Sequence, residues 1–209
     1  MRAQLTLFEE PTASPPELKA PRSGTFVDNM ALPIHRWFRY SAGFAAQWVE
    51  QGLKEWGIGH GHIVLDPFAG SGTVPIVCDT LGIKSIGVEA HPVVARICKT
   101  KLMWTTPPER VAEFAAQVLK NARSQKPKTS DYPSLIQRSF DENTLGVLNG
   151  LKASWSSLQD KSPESELVWL ALTAILRPTS RAGTAQWQYI LPNKTKKKIV
   201  QPLLAFQRQ

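Results

Sequence analysis

The chain has little cysteine: two residues in 209, Cys78 and Cys98, both in stretches of helical pattern. That excludes a disulfide framework and a cysteine-based metal centre, so no metal is expected. No run of 18 apolar residues occurs, which excludes a membrane-spanning helix by this measure. The first ten residues, Met1 to Glu10, lack the apolar centre of a signal peptide and end on two acids. A cytoplasmic location is therefore the expectation. Acidic residues are the scarcer charge, 17 against 25 Lys+Arg, for a net of +8. The imbalance is local: residues 1–104 hold 10 Lys+Arg and 9 Asp+Glu, residues 105–209 hold 15 and 8. A basic half beside a neutral half points to a polyanionic partner, with a generic solvated surface as the plainer alternative.

What is present reads as globular, with 42% hydrophobic and 20% charged residues. Residues 1–30 carry Pro11, Pro15, Pro16 and Pro21 among small and polar residues and are expected to form an irregular arm. From Ile34 to Leu53, Trp37, Phe38, Phe44, Ala45, Trp48, Val49 and Leu53 recur at roughly helical spacing, broken at Ser41–Gly43. After glycines at 57, 59 and 61, the run His62-Ile63-Val64-Leu65-Asp66 has the pattern of a buried parallel strand. A glycine loop leads into a helix from about Thr73 to Leu81, stopped by Gly82. Ser85 to Glu89 is a second strand, and Pro92 opens a second helix reaching about Trp104. Strand, loop, helix, strand, helix is a βαβ unit of an α/β doubly wound sheet. The second half is mainly helical: Pro108 to Ala122, about Asp141 to Leu158 with Asp141 as N-cap, and Glu164 to Leu176, with a polar linker at Ser124–Ser134. Gln186 to Leu191 alternates like a strand, and the basic run Lys194-Thr195-Lys196-Lys197-Lys198 follows. The expected organisation is an arm at 1–30, a βαβ region at 31–104 and a basic helical region at 105–209.

The chemistry concentrates in Asp66-Pro67-Phe68-Ala69-Gly70-Ser71-Gly72-Thr73. Its glycines allow a sharp turn and close approach of backbone to a ligand, and the helix behind aims its amides at the same place, which suits a carboxylate. Glu89, 23 residues after Asp66, closes the second strand, where an acid can accept from both ribose hydroxyls. The pair describes a pocket for an adenosine with a carboxylate-bearing tail. The dinucleotide fingerprint requires a third glycine where Pro75 stands, and a phosphate-binding Walker loop requires a Gly-Lys-Ser/Thr that does not follow.

These residues resemble a known family. Asp66 to Thr73 is similar to the first motif of S-adenosylmethionine-dependent amino-methyltransferases of DNA, and Gly87-Val88-Glu89-Ala90-His91-Pro92 to the second. His35 to Phe44 and Lys101-Leu102-Met103-Trp104 resemble flanking segments in one branch, so the likeness spans roughly residues 33–104. It implies a Rossmann-like methyltransferase sheet, incomplete here, with S-adenosylmethionine as cofactor and double-stranded DNA as substrate, in a restriction–modification setting. It implies that Asp66, Phe68, Gly70 and Gly72 line the methionine end and that Glu89 holds the ribose. Pro67, Ala69, Ser71, Thr73 and Ala90 complete the loop and the acid's turn. Trp37, Phe38 and Tyr40 would flank the methionine, with plain core packing as the alternative for the first two.

The family flips its target base out of the duplex and holds the amine with a polar residue, two prolines and an aromatic. Ser14-Pro15-Pro16-Glu17 and Thr106-Pro107-Pro108-Glu109 neither follow an apolar strand nor end in an aromatic, and no Pro-Cys is present for attack at cytosine C5. Catalytic residues therefore stay unassigned. The expectation is a fragment, or a chain completed by a second polypeptide. Lys194, Lys196, Lys197 and Lys198, with Arg177, Arg181 and Arg208, are candidates for phosphate contact, and Trp187 and Tyr189 for stacking on bases. A related RNA methyltransferase and a truncated, non-catalytic paralogue that binds cofactor remain open.

Overall fold

The computed structural model describes residues 26–123, 129–183, 196 and 198–209. The alternating segment Gln186–Leu191, with Trp187 and Tyr189, lies outside them, as do Lys194, Lys197 and nearly all of the N-terminal arm.

The described residues open with 3-10 turns at Phe26–Ala31 and His35–Trp37, followed by α1 (Ala46–Glu55). The helix begins later than the apolar spacing from Ile34 suggests. Ile34 has φ 64°, which no helix tolerates, and the start of α1 is set from a distance. The Asn29 side chain is fully buried; its Oδ1 accepts from the Ala46 amide at 2.8 Å, and its Nδ2 donates to the Phe44 carbonyl at 2.7 Å. Asn29 thus caps a helix that has no side-chain cap of its own. The last residues of the expected arm, with Phe26 also buried, belong to the packed body.

β1 (Ile63–Asp66), α2 (Thr73–Thr80) and β2 (Lys84–Gly87) follow, and β1 pairs with β2 in parallel with Asp66 opposite Gly87. Gly82, at φ 67°, ends α2. α3 (Pro92–Lys101) opens on its proline. The result is a mixed α/β fold, rich in helix, with a two-stranded parallel sheet among the described residues.

One face of the sheet is covered. Val64 packs into a core made by Ala46, Val49 and Leu53 of α1 with Val77 and Cys78 of α2. The other face is bare: Ile63 and Leu65 are 64% and 62% exposed, and Ile86 and Val88 are 55% and 52%. The fully buried strand expected from its β-branched composition is thus buried on one side only, because no described helix lies over the second face.

The second half forms its own core. α4 (Pro108–Ala122), α5 (Ser134–Ser139), α6 (Glu142–Leu158), α7 (Pro163–Thr179) and α8 (Pro202–Arg208) bury Val118, Leu145, Leu148, Leu151, Val168, Ile175 and Phe206 together. α4 has the limits its amphipathic pattern predicts. Asp141 caps α6, accepting from the Thr144 amide at 2.8 Å. Ser162 caps α7, which runs past the expected Leu176 through Pro178. No described helix is long and apolar enough to cross a membrane.

Candidate cofactor site

The glycine loop sits at the C-terminal ends of both strands, where open parallel sheets bind ligands. Three backbone and side-chain bonds hold it there. The Ala69 amide donates to the Val88 carbonyl at 2.9 Å, the Phe68 amide to Asp66 Oδ1 at 3.0 Å, and the Gly70 amide to Glu89 Oε2 at 3.0 Å. Glu89 Oε1 accepts from the His91 amide at 2.8 Å, which fixes the turn into α3. The acid that closes the second strand therefore meets the loop directly, and each oxygen keeps a lone pair for a further donor.

Two glycines are required by close approach. At Gly72, φ is 93° and an added Cβ would stand 2.7 Å from Cys98 Sγ, so α3 backs directly onto the loop. At Gly87, a Cβ would meet Ala69 Cβ at 3.0 Å and Pro75 Cγ at 3.2 Å. The absence of a third loop glycine is thereby explained. The clearance that a dinucleotide loop places on its helix is here provided by the strand, which lets Pro75 occupy α2.

The loop lines a cleft of about 260 Å³ with Asp66, Phe68, Ala69, Gly70, Ser71, Thr73 and Glu89 on one side and Tyr40, Ala42, Gly43 and Phe44 on the other. Three larger hollows, of about 660, 570 and 550 Å³, lie elsewhere, the second of them beside the strands at Ile63 and Ile86, and none is lined by Asp66–Thr73, so the chemistry rather than size marks the site. Of the residues singled out from sequence, Pro67, Gly72 and Ala90 stand outside the cleft lining. Trp37 lines the 550 Å³ apolar groove with Trp104 and Phe206, and its carbonyl accepts from Gln209 at 3.0 Å. Phe38 is half-buried and does not line the cleft. The facing wall is instead the turn after it, Tyr40 to Phe44. The break at Ser41–Gly43 was the signal for that turn, and Phe44, paired with Trp48 at 5.6 Å between ring centroids, sits beyond it.

Three of the described basic candidates, Arg177, Arg181 and Lys196, come together at the C-terminal end of α7. Lys196 Nζ donates to the Arg177 carbonyl, and its amide donates to that of Arg181 at 2.9 Å. Arg181 itself donates Nε to the Arg138 carbonyl at 2.8 Å and Nη2 to Gln137 at 3.1 Å. Burial, then the Arg177 charge, lower the Lys196 pKa. Lys198 and Arg208 are exposed. No group of three or more His, Cys, Asp or Glu able to hold a metal ion occurs among the described residues.

Residues 40–100 match a family model described as a DNA methylase. The Type II methyltransferase M.BsoBI of Geobacillus stearothermophilus is 43% identical over 69 residues, 33% of this chain and 14% of that protein. M.AvaI of Anabaena variabilis is 34% identical over 77 residues, 37% of this chain and 16% of that protein. M.MjaII of Methanocaldococcus jannaschii is 39% identical over 69 residues, 33% of this chain and 13% of that protein. The chain thus spans about one seventh of the length of these relatives. No solved structure matches. The stretch that holds the glycine loop, α2, β2 and α3 is thus similar to DNA methylases.

Proposed function

We propose that this chain binds S-adenosylmethionine in the cleft between the Asp66–Thr73 loop and the Tyr40–Phe44 turn, as the cofactor-binding part of a DNA amino-methyltransferase of restriction–modification type. The fold around it is the start of a Rossmann-like methyltransferase sheet. The observation that carries the reading is the 3.0 Å bond from the Gly70 amide to Glu89, which puts loop and acid in one cleft.

The donor set fits this cofactor. Glu89 offers acceptors for a ribose diol, and the start of α2 offers amides and a positive dipole end for the methionine carboxylate. Asp66 and the Tyr40 and Phe44 rings face the remaining space, which suits a ligand with an amino group and a compact cationic centre. Bound there, the cofactor supplies an activated methyl group. The chain's own residues bind and orient it; a second polypeptide or further chain would supply the part that holds the target base. The bare face of the sheet is where that part would pack. Arg177, Arg181, Lys196, Lys198 and Arg208, with Lys194 and Lys197, are proposed to meet DNA phosphates.

Calorimetric titration tests the cofactor assignment. Glu89→Ala should weaken S-adenosylmethionine binding by about 1–3 kcal/mol, as for loss of a buried polar partner. Glu89→Gln, which keeps one acceptor oxygen, should lose less. Unchanged affinity in both overturns the ribose role. Transfer of labelled methyl to duplex DNA, with structured RNA as control, tests the substrate class.

A further inference from the structure

Lys101 ends α3 inside the protein, 1% exposed and the first in volume among the fully buried side chains. Its Nζ donates to one carbonyl, that of His35, at 3.2 Å. An ammonium buried with a single neutral partner among the described residues is costly, and burial draws its pKa down to about 8. A methionine of similar length would fill the same space without that cost. His35 beside it is buried too. Burial and then the Lys101 charge depress its pKa to about 4, so the imidazole is neutral and adds no second cation.

The two residues stand in stretches, His35–Phe44 and Lys101–Trp104, that the loop chemistry leaves unused. The structure joins them in a closed circuit around the cleft. Gly72 of the loop backs onto Cys98 of α3. Lys101 lies three residues on, on the same side of that helix. Its ammonium grips the His35 carbonyl at the start of the 3-10 turn. The chain then runs through Trp37, Phe38 and Arg39 to Tyr40, whose Cε1 lies 3.2 Å from where a Gly70 Cβ would stand, back on the loop. The facing wall is thus tied to the loop twice, at Tyr40 by contact and at Lys101 from behind.

We propose that Lys101 is a positioning residue of the cleft: its bond to the His35 carbonyl sets the distance between the Tyr40–Phe44 wall and the glycine loop. The role in cofactor binding rests on the reading of the cleft given above; the role in holding the wall does not.

The test is Lys101→Met in the full chain, read two ways. Nuclear Overhauser contacts between the Tyr40 ring and the Gly70 α-protons report the wall without any ligand. They are expected to weaken or vanish, while the melting temperature holds or rises because a buried charge is gone. Titration with S-adenosylmethionine is expected to show about tenfold weaker binding, the loss of one such bond. In a Tyr40→Ala background the same substitution should add nothing further. If Lys101 only fills space, the Tyr40–Gly70 contacts and the affinity stay as in the wild type, and the proposal is overturned. Lys101→Gln, whose amide is too short to reach the His35 carbonyl, reads the same way if the methionine variant does not fold. Loss of the contacts in a chain that binds no S-adenosylmethionine at all would uphold the strut and overturn the cofactor reading alone.

Discussion

Arg96 of α3 closes a two-pronged ion pair on Glu166 of α7, with Nε to Oε2 at 2.7 Å and Nη2 to Oε1 at 2.8 Å. The guanidinium also stacks over the Trp169 ring, 4.0 Å from its centroid, and lies 5.4 Å from that of Trp155. This fork fastens α3, which backs onto the glycine loop, to the helical half. Arg96→Ala should cost about 1–2 kcal/mol, since the pair is part-buried and the stacking is lost as well. Arg96→Lys should recover the charge but only part of the stability, because an ammonium cannot fork. Urea denaturation of the three proteins checks both.

The buried pair His35 and Lys101, behind the cleft wall, predicts the pH dependence of stability. His35 has a folded pKa near 4, below its ordinary 6.5, so between those values the unfolded chain binds the extra proton. Stability from this group is complete above 6.5 and is lost as pH falls to 4, by about 3 kcal/mol for a shift of that size. Lys101, drawn to about 8 from 10.5, adds a second rise in stability as pH climbs between those values. Denaturation across pH should show that His35→Gln flattens the acid limb and Lys101→Met the alkaline one. Unaltered limbs would contradict the burial of these groups.

Gly72→Ala should destabilise the chain by about 1–3 kcal/mol, from the left-handed φ and the 2.7 Å approach to Cys98 Sγ. Adding Cys98→Ala should return part of the loss, because the sulfur goes and the φ remains. Melting curves of the single and double variants measure the split; no rescue would show that α3 does not press on the loop.

The bare sheet face should make the chain prone to association. Leu65 and Ile86 stand side by side across the strands, both more than half exposed. Leu65→Lys or Ile86→Lys should reduce concentration-dependent association in sedimentation runs and leave stability within about 0.5 kcal/mol.

Local physics made much of this molecule readable in advance. The βαβ order, the stop at Gly82, the Asp141 cap and the limits of α4 all follow from short-range rules: glycine at a left-handed position, an acid accepting from a helix's first amides, apolar residues at helical spacing. The loop and Glu89 were legible for the same reason, since a tight turn at a strand end and an acid at the next strand end are local requirements. Tertiary contacts decided the rest. α1 starts at Ala46 because Asn29, 17 residues away, caps it. Pro75 is allowed because Gly87 on the neighbouring strand leaves room. The cleft's second wall is Tyr40–Phe44 rather than Trp37 and Phe38 because Ile34 breaks the helix and turns the chain toward the loop. Lys101 looks like an ordinary last-turn cation until the fold buries it against His35. Periodicity along a chain says which side of an element is apolar, but only the packing of distant segments says what that side meets.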